Sequence, residues 1–420
     1  MKIQRLRGMH DIYGEDALRF QRIERIARGV FARFGFEEFR TPLLEEKELF
    51  CRALGDETDV VQKEMYEFKD RSDVSVAMRP EGTAGIVRAY LENELDKKEG
   101  HCKFYYTGPM FRSERPQAGR LRQFHQIGAE QLGTDSPYAD AETIQALTVI
   151  LDEAGATGYK VKLNNLGTLE ERADFKKELA GFFSRYKNDL CDDCKARLER
   201  NVFRLLDCKV ETCRAIAKNS PPIRNFLMPA SRAHFEKVCR SLTDAGIPYI
   251  EDPFMVRGLD YYTLTVFEVS HSGLGAQDAV AAGGRYDSLI GSFGGTPAGA
   301  VGFALGVERL AMCMKEASHD PFESAVFIVA LGEAAFTASF KLLSQLRANG
   351  VRAAMDLSPK SMKSQMRMAD KTKSAFTLIL GDNELQSGQW TLKNMRVGSQ
   401  ETIKGEDCVA LLRQRLSAKQ

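Results

Sequence analysis

Tyr106-Thr107-Gly108-Pro109-Met110-Phe111-Arg112-Ser113-Glu114-Arg115-Pro116, resumed as Gly119-Arg120-Leu121-Arg122-Gln123-Phe124-His125-Gln126-Ile127-Gly128-Ala129-Glu130, reads as a strand, a long loop and a second strand. Arginines 112, 115, 120 and 122 crowd the loop, and Pro116 and Gly119 break any helix near its tip. Such a loop suits a polyphosphate, because arginines neutralise charge while glycine allows a tight turn or a close approach. One of these arginines alone would read as surface charge on a solvated hairpin. Four of them among aromatic residues point to a ligand.

Three other stretches carry chemistry. Arg257-Gly258-Leu259-Asp260-Tyr261-Tyr262-Thr263 runs into the β-prone Thr265-Val266-Phe267-Glu268-Val269 after a turn at Asp252-Pro253. Read as a strand, it sends Arg257 and Tyr261 to one face and Tyr262 to the other, so both faces reach one pocket only if the strand twists or bends near its start. Met78-Arg79-Pro80-Glu81-Gly82-Thr83 sets a carboxylate where it can receive an ammonium group or cap the helix that follows. Ala281-Ala282-Gly283-Gly284-Arg285-Tyr286-Asp287 precedes Gly299–Arg309, whose small residues leave room for a flat ligand against backbone. Arg309 falls in the first turn of the next helix, where anions are already favoured. No Walker lysine and no G-x-G-x-x-G after a strand is present, so any nucleotide is held by another fold.

The composition, 43% hydrophobic and 28% charged over 420 residues, is that of a globular protein with two or three domains. No apolar stretch reaches membrane-spanning length, and nine scattered cysteines behind a start without a signal core favour reduced thiols in a cytoplasm. Net charge is +1, yet Lys341–Gln420 holds fourteen Lys/Arg against seven Asp/Glu, which hints at a polyanion engaged by the carboxy-terminal part. Cys191-x-x-Cys194 and Cys208-x4-Cys213 invite a zinc reading. The wider second gap is unlike a ribbon knuckle, so the expectation is an insertion that stands without structural zinc or any other bound metal. His125 reads as structural.

An amphipathic helix spans Asp16–Phe34 and stops at Gly35; a strand from Phe36 ends at Pro42. Charged helical text fills the stretch from Thr168 to Ala245, with sheet text on both sides. After Pro321 come a strand (Val326–Leu331), a helix (Glu333–Asn349), a strand (Val351–Met355), a helix (Ser361–Lys371), a strand (Phe376–Leu380) and a hairpin around Gly388.

Together these segments resemble the class II aminoacyl-tRNA synthetases, and closely the histidyl-tRNA synthetases. The helix ending at Gly35 with the strand to Pro42 looks like motif 1, Phe111–Glu130 like motif 2 and Gly302–Arg309 like motif 3. Arg257–Thr263 matches the family's first histidine signature and Gly283–Asp287 its second, while Ser361–Lys371 with Leu378–Gly381 resembles its anticodon-binding domain. The resemblance implies an α+β fold, a class II antiparallel sheet flanked by helices. It puts the catalytic core at 1–320, with the helical insertion at 168–245, and an α/β anticodon-binding domain at 321–420. It further implies a cytoplasmic homodimer that uses ATP with Mg2+, L-histidine and tRNA(His).

The resemblance also assigns roles. Arg112 would bind the α-phosphate and Arg309 the γ-phosphate of ATP, with Glu114 and Arg120 also at the nucleotide. Arg257 would neutralise charge at the α-phosphate and the amino-acid carboxylate. Glu81 and Thr83 would receive the ammonium and Gln126 orient the amino acid. Glu130 and Tyr262 would read the imidazole, with Tyr261 and Tyr286 lining the pocket. Lys360, Lys363, Arg367 and Lys371, near one helical stripe, would meet tRNA. The main alternative is a non-catalytic, synthetase-like regulatory subunit of histidine biosynthesis. Such paralogues typically lack the carboxy-terminal domain and degrade both signatures, which this chain keeps.

Overall fold

The structure is a computed structural model that describes residues 3–55, 58–117, 119–257, 261–275, 278–314, 326–358 and 360–417. It divides into two compact units, Met1–Lys315 and Glu316–Gln420. Among the described residues, no helix is long and apolar enough to cross a membrane.

The first unit is built on an eight-stranded sheet. Its order is Glu37–Glu38, Cys102–Phe111, Gln123–Leu132, Ala300–Gly306, Ala279–Arg285, Thr263–Ser270, Lys160–Asn165 and Tyr249–Glu251. The six central strands pair antiparallel, and only the two short edge strands run parallel to their neighbours. The α+β expectation therefore holds. Period-two alternation divides the sheet into a helix-covered face and an opposite, partly open one. Ile127, Ala129, Phe267, Val269, Phe303 and Leu305 pack with residues of the helices Gly14–Arg33, Pro137–Ala154 and Val307–Cys313. The opposite face presents Gln126, Gly128, Glu130, Gly302, Ala304, Val266 and Glu268, and it is here that the candidate ligands gather.

The insertion is helical, as its charged text indicates, with helices at Leu169–Ser184, Asp192–Arg200, Glu211–Ala217 and Pro229–Asp244. Thr168 opens the first with a capping box: its hydroxyl accepts from the Glu171 amide while the Glu171 carboxylate accepts from the Thr168 amide.

Two local expectations give way. The run from Arg257 is not a strand: the strand begins at Thr263, Tyr261 lies in a turn, and Gly258–Asp260 fall outside the described residues. The bend sits one step later, at Leu264. There φ is +45° and the pairing to the neighbouring strand slips, Arg285 facing Thr263 while Gly284 faces Val266. A bulge of this kind re-aims the side chains that precede it. In the second unit Gly388 does not turn a hairpin. It takes φ +65° to end the helix Asp382–Ser387, and the hairpin joins Gln389–Asn394 to Gln400–Lys404 further on.

The remainder of the second unit alternates as read. The strands Ala353–Met355, Val326–Ala330 and Phe376–Leu380 are parallel, and the hairpin adds two antiparallel strands. The helices Glu333–Ala348, Met362–Lys371 and Cys408–Ser417 complete it. Gln365, buried on Met362–Lys371, docks that helix by bonding both the N–H and the C=O of Ala330, at 3.0 and 2.8 Å.

Candidate active site

Three rows of side chains cross the open face of the large sheet. In one, Val266, Gly284, Gly302 and Glu130 stand opposite one another on successive strands. In the next, Glu268, Ala282, Ala304 and Gly128 form a low bed between the Glu268 carboxylate and the ring of Tyr106. The third brings Gly306 beside Gln126 and Gly108. The expected room for a flat ligand exists along Ala282, Ala304 and Gly306, which are only partly buried. At Gly302 that space is already used: a Cβ there would lie 1.7 Å from Oε2 of Glu130. Gly82 and Gly128 likewise make way for Tyr106, whose ring atoms come within 2.3 and 2.2 Å of where their Cβ atoms would be.

Glu130 is the chemical centre of this face. It is 1% exposed and accepts from the Thr83 hydroxyl at 2.7 Å and from the Tyr286 hydroxyl. Burial outweighs these donors and pushes its carboxyl up to about 8, which favours the neutral acid in the ligand-free protein. Glu81, 5% exposed, turns both oxygens to the start of the helix Thr83–Glu92, accepting from the Thr83 amide at 2.6 Å and the Ala84 amide at 2.9 Å. Burial raises it too, although those amides pull the other way. The rings of Tyr261, Tyr262 and Tyr286 wall the same space, with centroids 4.7 Å apart for 261–262 and 5.5 Å for 261–286.

Arg257 reaches this wall despite lying before the strand. Its guanidinium sits 5.7 Å from the Tyr262 ring centroid and bonds Glu268 through Nη1 at 3.0 Å. Its Nε is buried without a hydrogen-bond partner, and so is Oε1 of Gln126. Buried polar atoms of this kind are costly unless a ligand completes them, so both fit a polar substrate on this face.

A second cluster adjoins the first. Arg112 bonds the Pro80 carbonyl through Nε at 2.9 Å, next to Glu81, and lies over the ring of Phe124. Arg120 bonds Glu114 at 2.9 Å, and Nη1 of Arg112 lies 3.9 Å from that same carboxylate. Arg309 donates to the carbonyls of Gly119, at 2.9 Å, and Ala279. Its burial makes the charged form costlier, pulling its pKa down, and the like charge of Arg120 adds to this. Three cations thus converge on one loop, with Glu114 paired to Arg120 among them. This arrangement can bind an anion of several charges.

Two acidic residues of the site are not singled out by the sequence motifs. Glu268 is a lone charge in an apolar strand, which is a usable signal. Glu64, in the π-helical turn Val60–Glu64, has its carboxyl raised by burial and by Glu114. Its carbonyl accepts from the Ser113 amide, and nothing in its sequence context marks it. Arg285 of the second signature is fully buried and bonds Asp140, so it serves the fold. His125 bonds Glu308 on the helix-covered side, 2.9 Å from Nδ1.

The basic stripe belongs to the second unit. Lys363, Arg367 and Lys371 are exposed on the side of their helix away from the buried Gln365 and Ala369. Lys360 is not part of that stripe: it precedes the capping Ser361 and pairs with Asp356 at 2.8 Å.

An antiparallel sheet whose open face joins a buried acid and tyrosine pocket to an arginine-lined loop defines a class II aminoacyl-tRNA synthetase. The family model described as Histidyl-tRNA synthetase matches residues 8–310, and the Anticodon binding domain model matches 325–415. A Histidine--tRNA ligase of Nitratidesulfovibrio vulgaris (strain DP4) is 47% identical over 412 residues, 97% of this chain and 98% of that one. One from Thermotoga maritima is 43% identical over 420 residues, 99% and 100% of the two chains. The crystal structure of apo S. aureus histidyl-tRNA synthetase aligns with a TM-score of 0.82 at 34% identity, covering 98% of this chain and 100% of that one. The chain belongs to the histidyl-tRNA synthetase family.

Proposed function

We propose that this chain is a histidine–tRNA ligase, which activates L-histidine with ATP and transfers it to the 3′ end of tRNA(His). The observation that carries this reading is Glu130, a buried carboxyl ringed by hydroxyls and tyrosines on the same sheet face as Glu268, the partner of Arg257, and close to an arginine cluster. An imidazole offers Glu130 an N–H and rests against aromatic walls. A substrate without ring nitrogens would leave these buried groups unpaired, which is strongly discriminating.

In this reading Thr83 and Glu81 hold the ammonium, Gln126 orients the backbone of the amino acid, and Tyr262 joins Glu130 at the imidazole. Tyr261 and Tyr286 shape the walls. ATP enters as its magnesium complex. Arg112, Arg120 and Arg309 spread along the triphosphate, Arg309 at the γ-phosphate, and Glu114 helps hold the nucleotide end of the loop. Arg257, its Nη1 held by Glu268, turns its remaining donors to the α-phosphate and the carboxylate that attacks it. The reaction expels pyrophosphate, and the protein contributes chiefly position and charge.

Lys363, Arg367 and Lys371 contact tRNA, with Lys360 near them, so the division of labour follows 1–320 and 321–420. The ligase works as a cytoplasmic homodimer. The retained signatures and second unit weigh against a regulatory subunit. The test is ATP–pyrophosphate exchange measured with each amino acid in turn. Exchange with histidine alone is expected, and its absence with every amino acid would sink the reading.

A further inference from the structure

We propose that Cys191, Cys194, Cys208 and Cys213 form a tetrathiolate zinc site that staples the insertion together. The sequence spacing leaned the other way, because Cys208-x4-Cys213 is wider than a ribbon knuckle. The fold removes that objection: the four sulfurs lie within 4.8 Å of one another, and those of Cys191 and Cys208 are 3.9 Å apart. Four sulfurs at about 2.3 Å from a tetrahedral Zn2+ are separated by about 3.8 Å. A modest contraction would complete the shell.

The surroundings fit a charged metal centre better than four idle thiols. Cys194, Cys208 and Cys213 are buried and Cys191 is partly so, and all four are unoxidised. The Cys191 amide donates to Sγ of Cys213 at 3.2 Å, the Cys194 amide to the sulfur of Cys191, and the Val210 amide to that of Cys208. N–H···S bonds of this kind offset the net −2 charge that Zn2+ with four thiolates would carry, four protons leaving as the metal binds.

The helices that carry the cysteines are short, and they pack beside the buried Leu190, Val202, Leu205 and Ile223. Between Leu190 and Leu227 the helices Asp192–Arg200 and Glu211–Ala217 have nine and seven residues, joined by 3-10 turns. Short helices such as these are marginal by themselves. One metal would tie the start of one to the start of the other. Two disulfides are the rival arrangement, and they need pairs of sulfurs rather than a mutual cluster.

The test uses the full chain, expressed with zinc and purified under reducing conditions. Expected are about one zinc per chain by elemental analysis and its release, read with a chromogenic chelator, as a mercurial thiol reagent captures the cluster sulfurs. Co2+ replacing zinc should give the intense charge-transfer absorption of four thiolates. Cys194→Ser and Cys213→Ser should each abolish retention. Should those variants fail to fold, the metal content, mercurial release and cobalt spectrum of the parent decide. A metal-free parent, iron in place of zinc, or disulfide-linked peptides in the native protein would each overturn the proposal.

Discussion

Arg257 and Arg285 each belong to a signature run, and the structure puts them to opposite uses. Arg285 is 0% exposed with every donor direction used. Nε and Nη2 bond Asp140 at 3.0 and 2.6 Å, Nη1 bonds the Thr134 carbonyl at 2.8 Å and Asp287 at 3.0 Å, and Nη2 also reaches the Ser136 carbonyl at 3.1 Å. His234 holds the other oxygen of Asp140 at 2.8 Å. Arg257 has one carboxylate partner, a tyrosine face and a buried Nε left over. A saturated arginine serves the fold, whereas an unsaturated one beside the open sheet face is available for chemistry.

The comparison breaks most visibly at Arg285. Arg285→Ala strands Asp140 in the core and should cost about 3–5 kcal/mol, read as a lost or much earlier urea transition. Unchanged stability with a raised KM for histidine would instead make Arg285 a pocket residue. Arg257→Ala should slow exchange by about 10²–10³-fold while the unfolding transition stays put. Near-normal exchange would remove Arg257 from the reaction.

Glu130→Gln sharpens the contrast between a group that serves the fold and one that serves the ligand. The Glu130 carboxyl is raised from 4.5 to about 8 on folding, so its contribution to stability is complete below 4.5 and is lost as pH climbs through 8. Without ligand, the variant should therefore become more stable than the parent by about 1–3 kcal/mol as pH rises across that window, while exchange with histidine collapses. Parallel stability curves for the two proteins would mean that Glu130 is ionised throughout. Smallest of all, Lys363→Glu with Arg367→Glu should raise the KM for tRNA about tenfold and leave exchange unchanged. Equal losses in both assays would make the stripe structural.

The strand–loop–strand of the arginine segment, the helical insertion and the alternation of the second unit were legible because glycine, proline and apolar period mark them locally. The helix Pro137–Ala154 was not. Eleven of its residues are buried, on nearly all sides, so it shows no stripe for periodicity to find. The faces of Arg257 and Tyr262 could not be read from alternation, because the bulge at Leu264 depends on pairing with a distant strand. Arg285 looked like its neighbours in the signature, and only its burial against Asp140, far off in sequence, separates it from them. The gathering of four cysteines depends in the same way on how the short helices fold back.

Gly302 has a consequence for how this pocket can change over generations. Any larger residue there must displace the Glu130 carboxylate, so a lineage that keeps Glu130 is barred from leaving glycine at 302. Shortening position 130 alone does not free position 302, because the Ala129 carbonyl oxygen would still lie 2.5 Å from a Cβ there. Drift toward another amino acid therefore has to move backbone as well as a side chain. The preference for histidine is guarded by a residue with no side chain of its own.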